Sequence, residues 1–429
     1  MVSNWFLGIF AFFYLAEHGV SLWLTVLNLR YVARHENEVP LYFRDKISLD
    51  EYQRSIRYTR DKTHLGLIRS LLAVPILWGM ILTGFFGGVD QWARSRGDSA
   101  ILAGVIFLSI MAALFYLLSL PFNLYSTFVI ERRHGFNRTT FRIWMTDQLK
   151  SLALTIAIGG PLLIGTLWFM EKYWQGFWWL YVWVLTGLFQ LFIAALFPVL
   201  ILPIFNKLTP LSSGGLKDKI EELAKRVNFR ISGVFTMDGS KRSTHSNAFF
   251  AGIGKFRRIV LFDTLVQGME ERELLAVLAH EMGHSVKKHV RTGLLISLSS
   301  SLLGFFVLSR LVQASWFYEA FKFRFASAYA ALFIFGIASG AFTFFLLPLF
   351  SMLSRKHEYE ADRFAAGVLG EAQPMVHSLV KLSKDNLSNL TPHPYYSFFY
   401  YSHPTTIERI QALEAQTYQR SQDPVVMET

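Results

Sequence analysis

A mainly α-helical, polytopic membrane fold with seven transmembrane spans is predicted by three features of this sequence. Of its 429 residues, 52% are apolar and only 17% are charged, whereas a soluble chain carries about a quarter charged residues. Too little polar surface is present to coat several globular domains. Aromatic side chains are abundant, with 40 Phe, 17 Tyr and 11 Trp. Seven apolar stretches also reach the roughly 17–25 residues that a bilayer crossing requires: 4–29, 66–88, 101–125, 151–170, 176–204, 292–313 and 328–351. Disorder, collagen and nucleic-acid-binding tails are excluded as descriptions of the whole chain.

The first stretch is not built like a signal peptide. Residues 1–29 hold no Lys or Arg, and the basic residues begin at Arg30; a signal peptide needs its positive charge ahead of the apolar core. The expectation is a retained helix with its N-terminus outside the cytoplasm. Loop charge agrees. The segment 30–65 carries Arg30, Arg34, Arg44, Lys46, Arg54, Arg57, Arg60 and Lys62, and 126–150 carries Arg132, Arg133, Arg138, Arg142 and Lys150. The loops at 89–100 and 171–175 offer only Arg94, Arg96 and Lys172. Basic and poor loops alternate as the positive-inside rule requires, which puts 30–65, 126–150, 205–291 and the tail after 352 in the cytoplasm. Trp174, Trp178, Trp179 and Trp183 gather at the poor end, where an aromatic belt is expected. The net charge of +11 therefore belongs to membrane topology, and no nucleic-acid partner is expected.

Pro75, Pro121, Pro198 and Pro203 fall in or beside spans, where neighbours or water must satisfy the backbone groups they free. Glu17 and His18 lie inside span one, as a structural polar contact or as the lining of a wet cavity. No internal repeat is visible, which weighs against an inverted-repeat transporter. A seven-helix receptor or channel, for its part, gives no account of the motifs below. Cysteine is absent, so any metal must be held by His, Asp or Glu.

Four regions are expected: spans one to five with their loops (1–205), a polar loop (206–291), a transmembrane hairpin (292–351) and a polar tail (352–429). The polar loop reads as a loop at Thr209–Gly215, a helix Leu216–Val227, strands near Ile231–Met237 and Arg257–Phe262, and a helix Glu273–Val290. The tail reads as helices near 356–370, 374–386 and 404–418, with an aromatic loop Pro392–His403. The β element is minor.

The helix before span six contains His280-Glu281-Met282-Gly283-His284. Residues four apart on a helix lie about 40° apart around its axis, so both imidazoles can reach one Zn²⁺. Glu281 is placed to take a proton from a metal-activated water and return it to the leaving amine. A further histidine on the same helix is excluded, because Lys287 and Val290 occupy the extended-motif positions and His289 would stand about 140° off the ligand face. The third ligand is expected from His357-Glu358-Tyr359-Glu360-Ala361-Asp362. Glu358 and Asp362 share a helical face, and Glu360 points away. Two His and one Glu leave the fourth position of a catalytic zinc open, and Asp362 can fix the tautomer of a ligating imidazole. Two spans separate His284 from Glu358, so both halves of the site return to the same compartment. His403 and Arg409 are candidates to stabilise an oxyanion. Asn247-Ala248-Phe249-Phe250-Ala251-Gly252 can form an extended edge that pairs with a peptide.

With these motifs in place, the sequence resembles the integral-membrane zinc metallopeptidases of the type-I CAAX prenyl protease family. Its landmarks are His134-Gly135-Phe136-Asn137, Thr209-Pro210-Leu211, Ser246-Asn247-Ala248-Phe249, the 280–284 and 358–362 motifs, and Ser402-His403-Pro404. The resemblance implies one Zn²⁺ per chain on His280, His284 and Glu358, Glu281 as base and acid, and Asp362 behind a ligand. It also implies His403 and Arg409 near the transition state, and Asn247 and Ala248 on the substrate edge. The implied fold is seven helices around an internal water-filled chamber, with a zincin-like catalytic region at its cytosolic end. The implied reaction is C-terminal trimming of prenylated CAAX proteins; the rival substrate reading is quality control of misfolded membrane proteins, as in shorter relatives with the same motif. The partners are then a peptide or protein substrate and the lipid bilayer. The end Asp423–Thr429 has no dibasic retrieval tail, which points to a bacterial plasma-membrane homologue, the alternative being the endoplasmic reticulum of a eukaryote.

Overall fold

The structure is a computed structural model that describes residues 5–212, 214–252 and 257–422. The tail Asp423–Thr429, and with it the expectation drawn from a missing retrieval signal, lies outside the described residues. Among the described residues, seven helical stretches are long and apolar enough to cross a membrane, at the seven places that hydropathy marks. Most run past the expected ends. α1 is Trp5–Arg34. α2 (Leu49–Thr83) opens with a capping box between Ser48 and Glu51, and so absorbs nearly half of the polar loop expected before residue 66. It stops at Gly84, whose φ of +73° suits a residue without a Cβ. The apolar run expected to continue to residue 88 is instead the start of a separate helix, α3 (Phe85–Arg96). Hydropathy averages over such a break.

The next three spans each contain a π-helical turn. α4 (Ala100–Tyr125) continues through Ser126–Glu131; α5 (Phe141–Leu154) joins α6 (Gly160–Lys172) through Thr155–Gly159; and α7 (Trp178–Leu196) joins the short α8 (Leu202–Phe205) through Phe197–Ile201. In the last of these, an i→i−5 register would pair the Pro198 carbonyl with the N–H of residue 203. Residue 203 is a proline and has none. Arg258 donates to the Pro198 carbonyl at 3.0 Å instead, which ties span five to the catalytic sheet.

That sheet is built from β1 (Leu208–Pro210), β2 (Gly233–Met237), β3 (Ala248–Ala251) and β4 (Arg258–Phe262), in the order β1-β2-β4-β3. β2 and β4 are parallel, with Gly233 opposite Arg258, and the outer strands are antiparallel. β1 occupies the start of the expected loop at 209–215. α9 (Gly215–Arg226) precedes β2, and α10 (Asp263–Gly268) and α11 (Glu271–Val286) follow β4. α11 ends four residues earlier than expected, because Lys288 adopts a left-handed conformation with φ +65°. His289 therefore begins a new helix, α12 (His289–Leu311).

After α13 (Ser315–Glu319), span seven is α14 (Ala328–Thr343), a tight turn Phe344–Leu346 and α15 (Leu347–Leu369). The expectation of a span ending at 351 and a separate helix near 356 is corrected: one helix carries the chain from the apolar layer to the 358–362 motif. α16 (Gln373–Asp385), α17 (Pro394–Tyr400) and α18 (Thr406–Gln422) complete the chain. α17 occupies most of the expected aromatic loop, with Pro394 preset for its first turn.

Two large apolar cores lie at opposite ends of the helices, with a small third cluster of Leu202, Met237 and Val260. Phe6, Phe10, Phe86, Phe107, Trp178, Phe321 and Tyr329 belong to one; Val32, Tyr52, Ile259, Met282, Ala365 and Ile410 belong to the other. Trp178 is thus core, not belt. Between the cores, no side chain is buried across 57–80 of α2, 112–125 of α4, 183–196 of α7 or 290–307 of α12. At 1.5 Å per residue the α2 stretch alone is about 36 Å long. α1 touches α2 and α14, α4 touches α6 and α14, and α7 touches α6 and α12. Neighbouring helices still touch along these stretches, as where Trp183 donates to the Leu298 carbonyl at 2.9 Å, but none fills the middle of the ring, which encloses an internal chamber. His18 lines a cavity of about 580 Å³ in this wall with Ser21, Thr25, Lys62, Tyr396 and Tyr400, and its Nδ1–H is donated to the Tyr14 carbonyl at 2.9 Å.

Candidate active site

α11 and α15 pack against each other at one end of the ring and carry the two motifs. Their approach is close enough that a Cβ on Gly283 would stand 3.2 Å from the Ala361 Cα and 3.1 Å from the Phe364 ring. Glycine between the two motif residues Met282 and His284 is thus a packing requirement of this crossing. α11 starts with a capping box in which Glu270 and Glu273 satisfy each other's N–H groups, and acidic residues in its first turn match the helix dipole.

His280, His284 and Glu358 each offer a ligand atom within 4.8 Å of the other two. The imidazole Nε2 atoms are 3.2 Å apart. Glu358 Oε1 lies 3.2 Å from His284 Nε2, and Oε2 lies 3.5 Å from His280 Nε2. The outer nitrogens are committed elsewhere: His280 Nδ1–H donates to Asp362 Oδ1 at 2.8 Å, and His284 Nδ1 faces His289 Nδ1 at 3.1 Å. In the neutral form of both rings, with those protons pointing outward, both Nε2 atoms turn their lone pairs to one point beside the Glu358 carboxylate. Glu358 Oε2 is buried without a hydrogen-bond partner. Three electron-rich groups converging on one point fit a divalent cation and little else.

The surroundings hold this cluster rigidly. Arg409 of α18 donates from Nε and one terminal nitrogen to the two oxygens of Asp362, at 2.7 and 2.6 Å. Its other terminal nitrogen lies 3.6 Å from Glu358 Oε2. Despite burial, the Asp362 carboxylate keeps the guanidinium charged. Two of its three nitrogens are held by Asp362, and the third is turned toward the Glu358 carboxylate. His403 sits before the Thr405–Glu408 capping box that opens α18. Its Nε2 is 3.4 Å from Glu358 Oε1, and its side chain is 62% exposed. This side chain remains free to meet a substrate. In the metal-free site, burial would lower the pKa of His280, but the bonds to Asp362 and Glu358 outweigh it and lift the value to about 8. Burial raises Glu281 above the ordinary carboxylate range, with His280 and His284 opposing.

Arg409→Ala would leave the Asp362 carboxylate, 2% exposed, without its cation. A loss of about 3–5 kcal/mol is expected, read as reduced unfolding stability of the metal-free protein. Arg409→Lys should recover only part of it, since one ammonium cannot reproduce the fork.

β3 is the outer strand of the sheet. Asn247 is exposed and Ala248 is buried. The Asn247 carbonyl accepts from Phe262 N–H on β4 at 3.1 Å, so alternation turns the N–H and carbonyl of Ala248 to the open edge. The Asn247 side chain covers that N–H at 2.8 Å. Three supports escaped the sequence reading. The break at Lys288 brings His289, which a continuous helix would turn off the ligand face, against His284, and Glu360, on the other side of α15 from Glu358 and Asp362, accepts from His289 Nε2–H at 2.9 Å. Asn386 holds the backbone of Ser246 from both sides, at 3.2 and 3.3 Å. No local pattern signals it.

Comparison with known proteins agrees with this arrangement. The family model described as CAAX prenyl protease N-terminal, five membrane helices, matches residues 28–207, and that of peptidase family M48 matches 210–417. The chain is 36% identical over 431 residues to CAAX prenyl protease 1 of Saccharomyces cerevisiae, covering 94% of each. It is 32% identical to the CAAX prenyl protease 1 homolog of Homo sapiens, covering 92% of this chain and 93% of that one. The crystal structure of S. mikatae Ste24p superposes with a TM-score of 0.88 at 32% identity, over 96% of this chain and 99% of that chain. Two abutting family matches, a cluster of two imidazoles and a carboxylate where α11 meets α15 and near full-length relatives lead to one assignment: the chain belongs to peptidase family M48, as a multi-pass membrane metallopeptidase of the CAAX prenyl protease type.

Proposed function

We propose that this chain is a zinc endopeptidase that trims the C-terminus of CAAX proteins, prenylated ones included, with zinc held by His280, His284 and Glu358. The observation that carries it is the convergence of two imidazole Nε2 atoms, 3.2 Å apart, beside a buried carboxylate oxygen without a hydrogen-bond partner. Zinc bound there supplies Lewis acidity to a water and to the scissile carbonyl. The chain supplies the rest. Glu281 accepts the water's proton and delivers it to the departing amine. His403, the exposed donor beside the cluster, stabilises the charge that develops on the attacked carbonyl oxygen. Arg409 and Asp362 keep His280 in the tautomer that leaves Nε2 free. The peptide adds to the open edge of β3 at Asn247 and Ala248, so that main-chain pairing sets its register.

In this reading 1–205 and 292–351 form the chamber wall, whereas 206–291 and 352–429 form a cytosolic catalytic region. The alternation of basic and poor loops supports the cytosolic placement. Relatives in yeast and human favour the endoplasmic reticulum over the bacterial plasma membrane. The test uses the full chain in lipid vesicles with zinc and a farnesylated peptide ending in a CAAX sequence. Mass spectrometry should show loss of the last three residues. Internal cuts in unfolded membrane proteins, without tripeptide release, would replace this substrate by the quality-control one.

A further inference from the structure

We propose that His289 and Glu360 are positioning residues for the metal site, a two-step relay that sets the tautomer and ring orientation of His284. The inference rests on the reading of His280, His284 and Glu358 as a metal cluster, but concerns residues that the reading does not use. His280 is braced directly by a carboxylate, Asp362. His284 has no carboxylate on its outer nitrogen. Its Nδ1 instead meets the Nδ1 of His289 at 3.1 Å, and the Nε2 of His289 meets Glu360 Oε2 at 2.9 Å.

For neutral imidazoles, proton counting leaves one arrangement. Glu360 carries no proton to give, so His289 donates from Nε2 and its Nδ1 is a bare acceptor. His284 must then donate from Nδ1, which leaves its Nε2 lone pair turned toward His280 and Glu358. The opposite tautomer of His289 would set two N–H groups against each other. The His289 ring is held in this pose: its side chain is only 6% exposed, and it stacks on His357 at a centroid distance of 3.9 Å and 9° between planes. Lys356 lies 3.9 Å from the other oxygen of Glu360.

The backbone is bent to make this contact. On a continuous α11, residue 289 would lie about 140° from His284 around the axis. Lys288, in a left-handed conformation unfavourable for a side chain with a Cβ, ends α11 and brings His289 back over the ligand. A strained residue between two helices, a buried ring and a carboxylate from α15 all serve one nitrogen.

The test compares zinc affinity, by chelator competition, with the melting temperature of the metal-free full chain. His289→Phe keeps the stacked ring but removes the acceptor. Its affinity should fall about 10–100-fold, with the metal-free melting temperature unchanged. His289→Asn, whose Oδ1 can take the place of Nδ1, should return to within about threefold of the parent. Glu360→Leu, on a partly exposed position, should weaken binding about 3–10-fold, and it decides the matter should His289→Phe not fold. A parent that binds zinc tightly with His289→Phe or Glu360→Leu equally tight overturns this proposal alone. A parent that binds no zinc overturns the metal reading as well. Equal losses in the Phe and Asn variants, tracking a lower metal-free melting temperature, would make His289 merely structural.

Discussion

Glu281→Gln is expected to keep one zinc per chain while peptide hydrolysis falls by about 10²–10⁴ in kcat. The amide matches the carboxylate in shape and still hydrogen-bonds, so the site's geometry and metal are preserved. What it cannot do is accept a proton. Burial already raises Glu281 above the ordinary carboxylate range, which brings its basicity nearer to the working pH and makes a proton shuttle effective. Metal analysis and single-turnover cleavage on the same preparation give both halves of the answer. Turnover retained within a few-fold of the parent would take the base role away from Glu281.

Removing a ligand should be more severe, because metal and activity go together. His280→Ala and Glu358→Ala are each expected to purify with little or no zinc and to lose peptidase activity. Chelation of the parent should do the same reversibly. Below about pH 8 the metal-free His280 is protonated, held so by Asp362 and Glu358 against its burial, and a cation must displace that proton. Apparent zinc affinity should therefore rise about tenfold per pH unit up to that region and then level off. Were Glu358→Ala to hold zinc as tightly as the parent, the third ligand would have to be sought at Asp362 or Glu360. Loss of stability without loss of affinity would point to Glu358 as a structural acid only.

Much of the site could be read from the chain alone because its elements are local. The 280–284 spacing is a property of one helix, as is the 358–362 spacing. The parity of spans between them is a count. Failures occurred where one residue's dihedral angle redirected the chain. Gly84 ended a helix within an apolar run, and Lys288 ended another between two histidines. In both places the surrounding side chains still fit a helical pattern, so hydrophobic periodicity had nothing to report.

Charge and hydropathy were sufficient to establish a seven-span membrane protein, and residue type with spacing was sufficient to pick the three side chains, His280, His284 and Glu358, that converge in the structure. These quantities depend on neighbours within a few turns, which is the range over which a sequence pattern carries physical information. The hollow between two packed ends, the Arg409 fork on Asp362 and the His289–Glu360 support of His284 depend on contacts between residues far apart in the chain. Such contacts exist only once packing has chosen which helices meet. The reason is physical: a buried polar group must find a partner wherever folding brings one, and the partner's position in the sequence is unconstrained by the group itself.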